Sequence, residues 1–193
     1  MASLRDLFVS RVRVKLLEVF FSNLGEIFYV RQLVRKLGEE INAVRRELAH
    51  LEKSGILTKE TRANRLYYGL RKDYLFFDEL LGLVAKTTGL GQALIASKNK
   101  IGKVKFIMLS GRFAQKLPCK PEEVDLLLVG DIVLPQVAAI VRNFEGVLEH
   151  EINYTAMTKE EFAFRKERRD PFILQILRGS RILLIGEEEE LLG

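Results

Sequence analysis

The chain has 193 residues, 48% of them apolar and 30% charged, a composition that allows one large domain or two small ones and excludes disordered and collagen-like chains. Its longest apolar runs, LLLV at 126–129 and ILLIG at 182–186, fall far short of the about 20 residues of a membrane helix. The net charge of +5 is uneven: residues 1–72 hold 15 Lys and Arg against 8 Asp and Glu, and residues 73–193 hold 16 against 18, the pattern of a polyanion-binding module joined to a second domain.

Charges at Arg5, Asp6, Arg11, Arg13 and Lys15 interrupt any apolar leader at the N-terminus, so no secretory signal is expected and the chain is placed in the cytosol. Leu4, Phe8, Val12, Leu16, Val19 and Phe20 recur at three- and four-residue steps, which predicts one helix ending near Ser22 to Gly25. IFYVRQLVRKLG follows with Val30, Leu33, Val34 and Leu37 at helical spacing, and Gly38 is a C-terminal stop. Next, Ile41, Val44, Leu48 and Leu51 form the apolar face of a third helix from Glu40 to Ser54. Glu39 and Glu40 sit at its positive N-terminal end and Gly55 closes it.

Successive residues turn by 100° around a helix axis, so the face opposite Val44 and Leu48 carries Asn42, Arg46, Ala49 and Lys53, with Arg45 on the flank and Glu47 and Glu52 toward the sides. Amide and guanidinium groups on such a face match base edges, and an ammonium matches phosphate. The run from 56 to 70 then reads as two strands, 56–61 and 65–70, around a turn at Arg62-Ala63-Asn64, with Arg62 and Arg65 at its tip.

Helix, short helix, polar-faced helix and basic hairpin within 72 residues resemble the winged helix-turn-helix of ArsR-like transcriptional regulators. The resemblance implies a third helix that enters the major groove of double-stranded DNA, with Asn42, Arg45 and Arg46 as base readers. It further implies Lys53, Arg62 and Arg65 as phosphate contacts, with Tyr29 and Arg31 as additional ones. Regulators of this kind dimerise so that two recognition helices reach successive major grooves, and a homodimer is therefore expected. The competing interpretation is a winged helix used for protein contacts, its arginines merely solvated.

Residues 73–100 predict a helical linker of two helices, with Leu75, Phe76, Leu80, Leu83 and Val84 on one stripe and a break at Thr87-Thr88-Gly89. Over 101–193, strand-like runs at 105–109, 124–130, 151–157 and 181–186 alternate with helical patterns at 132–144, 158–168 and 171–178, a small α/β arrangement. The expected fold class is thus α+β, with a winged-helix domain over 1–72, the linker, and a C-terminal α/β domain.

In that C-terminal domain a strand runs into Ser110-Gly111-Arg112, and a second begins at Glu123-Val124-Asp125. This spacing resembles the minimal nucleotidyltransferase fold of the DNA polymerase β superfamily. The resemblance implies nucleotide binding at Ser110, Gly111 and Arg112, and magnesium held by Glu123 and Asp125 with Glu151 as third carboxylate. Each element departs from the family pattern: the Ser-Gly pair is reversed, Phe113 follows Arg112, the first acid is a glutamate, and Asn153 lies two residues beyond Glu151. Octahedral magnesium tolerates little displacement of its ligands, so the expectation is a degenerate site. Cys119, with no second cysteine in the chain, reads as a lone loop thiol for which redox sensing is the minor alternative, His150 reads as a surface residue, and the terminal EEEELLG as a frayed or loosely docked acidic tail.

Three functions follow, the last being an interaction scaffold that acts as an antitoxin-like protein partner. The first is a DNA-binding transcriptional regulator whose C-terminal domain supports dimerisation or senses a nucleotide, another ligand or a protein partner. The second is an active metal-dependent nucleotidyltransferase acting on protein or RNA, antitoxin-like, with an accessory winged helix.

Overall fold

The structure is a computed structural model that describes residues 4–117, 123–148 and 151–193; Cys119 and His150 lie outside the described residues. The chain divides into two compact units, Met1–Thr87 and Thr88–Gly193. Among the described residues no helix is long and apolar enough to cross a membrane.

In the first unit, α1 (Leu4–Leu7) and α2 (Arg11–Ser22) take the place of the single helix expected over the Leu4 to Phe20 stripe. The break falls at Ser10, whose hydroxyl accepts from the Arg13 N–H at 3.2 Å and caps α2, leaving Val9 in solvent. A capping hydroxyl satisfies one of the N–H groups left open at a helix start, so a serine flanked by apolar residues can end one helix and begin another. The chain then forms β1 (Ile27–Tyr29), α3 (Val30–Leu37), α4 (Ile41–Lys53), β2 (Leu57–Arg62) and β3 (Arg65–Leu70). The strands make an antiparallel sheet in the order β1-β3-β2, with Phe28 opposite Tyr68 and Arg62 opposite Arg65.

Strand β1 is missing from the sequence expectation. Three residues are too few to show alternation, and pairing with β3, distant in sequence, is what makes them a strand. At the tip of the β2–β3 hairpin, Ala63 and Asn64 have φ of 43° and 62°, the doubly left-handed geometry of a two-residue turn that matches strand twist. The core of the unit gathers Leu16, Phe20, Phe28, Leu33, Val44 and Leu48, all buried, with Phe20 meeting Phe28 edge-on at 5.6 Å. Helix α5 (Phe77–Thr87) packs on α2 through Phe77 and Phe21, whose ring centres lie 5.5 Å apart.

The second unit runs α6 (Gly89–Ala96), β4 (Gly102–Ser110), α7 (Gly111–Ala114), β5 (Leu126–Ile132), α8 (Leu134–Leu148), β6 (Tyr154–Met157), α9 (Lys159–Glu167), α10 (Pro171–Arg178), β7 (Arg181–Ile185) and α11 (Glu188–Leu192). Its sheet has the order β6-β5-β4-β7 and is mixed: β5 and β6 are parallel, the other pairs antiparallel. On one face Phe106, Met108, Leu127, Val129 and Met157 pack against Phe162, Ile173 and Leu191 of α9, α10 and α11. Each of the β5 residues Leu126 to Val129 is wholly buried, which is why that strand reads as an unbroken apolar run.

Two expectations are corrected here. The terminal acidic segment is docked: α11 buries Leu191 completely, and Glu188 and Glu190 pair with Arg181 and Lys105. The third C-terminal strand starts at Tyr154 rather than Glu151, because the Asn153 carbonyl accepts from the Asp125 and Leu126 N–H groups while its own N–H donates to the Asp125 carboxylate, ahead of the β5–β6 ladder.

Candidate nucleic-acid interface

Helix α4 begins at Glu40, whose carboxylate accepts from the N–H groups of Asn42 at 2.8 Å and Ala43 at 2.9 Å. These two bonds hold the Glu40 carboxyl below its ordinary value, and the charges of Arg46 and Arg45 lower it further. The helix buries Val44, Leu48 and Leu51 and turns Asn42, Arg45, Arg46, Ala49, His50 and Lys53 outward, all exposed. No carboxylate lies among these outward residues; Glu40 at the N-cap is the acid that Arg45 and Arg46 feel. His50 is a member of the face that the sequence reading omitted, although its position four residues after Arg46 places it there.

The two other acids of α4 point elsewhere. Glu47 is buried, not lateral: its carboxylate meets the Arg13 Nε of α2 at 2.9 Å. Burial alone would raise its pKa, but the Ser10 hydroxyl and the Arg13 guanidinium hold it below the ordinary value. Glu52 lies 3.6 Å from the Lys59 ammonium of β2. Cations of α2 also fix the turn before α4: Lys15 Nζ donates to the Leu37 carbonyl at 2.8 Å and to Glu39 at 2.6 Å, and Arg11 lies 3.3 Å from the same carboxylate. Part of the basic excess of the first 72 residues is therefore spent on holding α4 in place.

At the hairpin tip Arg62 and Arg65 are both exposed. Arg62 pairs with Glu60 at 2.7 Å and stands 6.0 Å over the Tyr67 ring, while Arg65 stands 5.1 Å over Tyr29. Arg31 is exposed on the first turn of α3, beside Tyr29 at its N-cap. The structure brings Asn42, Arg45, Arg46 and Lys53 together on one helix face, and Arg62 and Arg65 together on the hairpin.

The residues implied in the second unit are placed differently. Ser110 caps α7 by accepting from the Phe113 N–H at 3.1 Å. The Gly111 N–H donates to the Ser180 carbonyl at 2.6 Å, and a Cβ at Gly111 would come within 2.0 Å of Ser180 Oγ. That glycine admits a neighbouring strand end, and its N–H is already used by the chain, so it does not fit a phosphate cradle. Arg112 lies 3.0 Å from Glu123. Asp125 is buried and accepts from the Asn153 N–H at 2.9 Å, whereas Glu151 is exposed ahead of β6.

Among the described residues no three acidic, histidine or cysteine side chains converge to hold a metal ion. The donor set of Glu123, Asp125 and Glu151 does not fit magnesium: Asp125 is engaged by the Asn153 N–H, Glu123 by Arg112, and Glu151 stands in solvent. Beside it lies a small cavity of about 130 Å³ lined by Met108, Ser110, Arg112, Glu123, Phe172 and Ile176. No protein-family model, curated protein or solved structure matches the chain.

Proposed function

We propose that the chain is a DNA-binding transcriptional regulator of the ArsR-like winged-helix type, working in the cytosol as a homodimer on a pseudo-palindromic site. In this mechanism α4 enters the major groove. Asn42, Arg45 and Arg46 read base edges, and Lys53, Arg62 and Arg65 neutralise phosphates. The observation that carries the proposal is the outward face of α4, which presents an amide, two guanidiniums and an ammonium while its own Glu47 is turned inward to Arg13. Arg31 adds a backbone contact at the start of α3.

The second unit serves in this scheme as a nucleotidyltransferase-like platform for dimerisation or for an effector. An active transferase has less support, because Asp125 is engaged by the Asn153 backbone and Glu123 by Arg112. Selection of bound fragments from random duplex DNA tests the proposal. A recovered symmetric site, with affinity falling steeply between about 50 and 200 mM salt, is the expected result; no affinity for any duplex at low ionic strength overturns it.

A further inference from the structure

The outer face of the β1-β3-β2 sheet carries a group of side chains that the α4 contacts do not use. Alternation along the strands puts Tyr29, Tyr67 and Arg65 on one side, and the register sets Glu60 opposite Tyr67 and Arg62 opposite Arg65. Phe28 and Tyr68 take the other side and are buried in the core. On the outer side the Tyr29 and Tyr67 rings meet edge-on at 5.7 Å. Arg65 lies over the first ring and Arg62 over the second. Arg35, in the second turn of α3 and exposed, donates from Nη2 to the Tyr29 hydroxyl at 3.0 Å.

Three guanidiniums are thus held on a two-tyrosine scaffold, and Glu60, paired with Arg62, is the acid facing them. Arginines free in solvent lose several rotors when they bind phosphate. Arginines already stacked on rings or bonded to a phenol lose fewer, and they keep N–H groups at their edges for a phosphate. Stacking also covers the ring faces, which argues against intercalated or unpaired bases as the occupant and for the sugar-phosphate backbone.

We infer that this sheet face is a second contact surface for the DNA backbone, with Arg35 as an unassigned phosphate contact and Tyr29 as its positioning residue. The inference rests on the regulator proposal and extends the footprint from the hairpin tip to the body of the sheet.

The test is binding of a labelled duplex of random sequence across a salt series, by the full-length chain and by Arg35→Gln, Tyr29→Phe and the double variant, with melting curves to confirm folding. Arg35→Gln is expected to reduce the slope of log affinity against log salt by about 0.9, because one phosphate contact fewer releases counterions. Tyr29→Phe keeps every charge, so its slope stays at the wild-type value while affinity falls roughly threefold. In the Arg35→Gln background the tyrosine change costs nothing more, a non-additivity that a merely structural tyrosine would not show. Wild-type affinity and slope in Arg35→Gln, with the parent binding duplex, overturn this surface alone; a parent that binds no duplex overturns the regulator proposal as well. Preference for an unpaired strand over the duplex also refutes the backbone assignment.

Discussion

The Arg13–Glu47 pair offers the sharpest check on how α4 is held. The Glu47 side chain is 10% exposed and Arg13 28%, with Nε and carboxylate 2.9 Å apart. Removing one partner of a buried pair costs about 3–5 kcal/mol because a charge stays behind without its counterion. Here water reaches part of Arg13 and the Ser10 hydroxyl still serves Glu47, so Arg13→Met is expected to destabilise the first unit by about 2 kcal/mol at neutral pH. The double variant Arg13→Met/Glu47→Leu should recover most of that loss, since no charge remains buried.

Acidity supplies an independent sign. The folded chain holds the Glu47 carboxyl below its ordinary value, so the parent has the full stabilisation above the unfolded pKa and loses it as pH falls through the lowered one. Without Arg13, burial is opposed by Ser10 alone, Glu47 takes up its proton at higher pH, and the deficit of Arg13→Met shrinks on acidification. Urea unfolding followed by tyrosine emission measures this, because Tyr29, Tyr67, Tyr68 and Tyr74 lie in the first unit and Tyr154 alone in the second. A deficit that is the same at neutral and acid pH, or a double variant no better than the single, would refute the reasoning.

Three further outcomes follow from the geometry. Arg46→Ala should weaken binding to the selected DNA site by about 1–3 kcal/mol and relax base preference there, whereas Arg62→Ala should weaken all sequences alike and lower the salt slope by about 1; equal loss of specificity in both contradicts their roles. Ala63→Gly should stabilise the hairpin turn by about 1 kcal/mol, because alanine at φ 43° carries the left-handed penalty that glycine lacks, and amide exchange across β2 and β3 reads the change. Asp125→Ala should destabilise the second unit by about 1–3 kcal/mol through loss of the part-buried bond to the Asn153 N–H; helical circular dichroism in urea measures it, and a neutral or stabilising effect would contradict that holding role.

Elements defined by local periodicity were legible in the sequence. The α3 and α4 stripes, the hairpin with its turn at Arg62-Ala63-Asn64, and helices α8, α9 and α10 of the second unit need only side-chain spacing and turn chemistry to be read. Ser10 was not legible as a break, because the stripe from Leu4 to Phe20 continues through it and capping depends on where the backbone turns. Strand β1 exists through its ladder to β3, a partner some forty residues away along the chain. The docked α11 turns on one residue, Leu191, directly after four consecutive glutamates, and composition gives such a segment to solvent.

Charge was legible as a quantity and not as a distribution. A count over residues 1–72 treats Arg13 and Arg46 alike, yet the first is bound to Glu47 inside the fold and the second is exposed. The same count sets Glu47 against the basic excess, when its inward turn removes a carboxylate from the outer face of α4 and ties that helix to α2. In the second unit, Asp125 fits a metal-ligand spacing in sequence but holds a strand end in the fold. A buried acid facing a backbone N–H and a surface acid facing solvent share a letter; the partner, supplied by elements far away along the chain, decides which chemistry each performs. If the α4 face is the DNA-contacting surface proposed above, it depends on Arg13 of α2, which keeps Glu47 turned inward, and Arg13→Met should lower affinity for the selected duplex as well as stability.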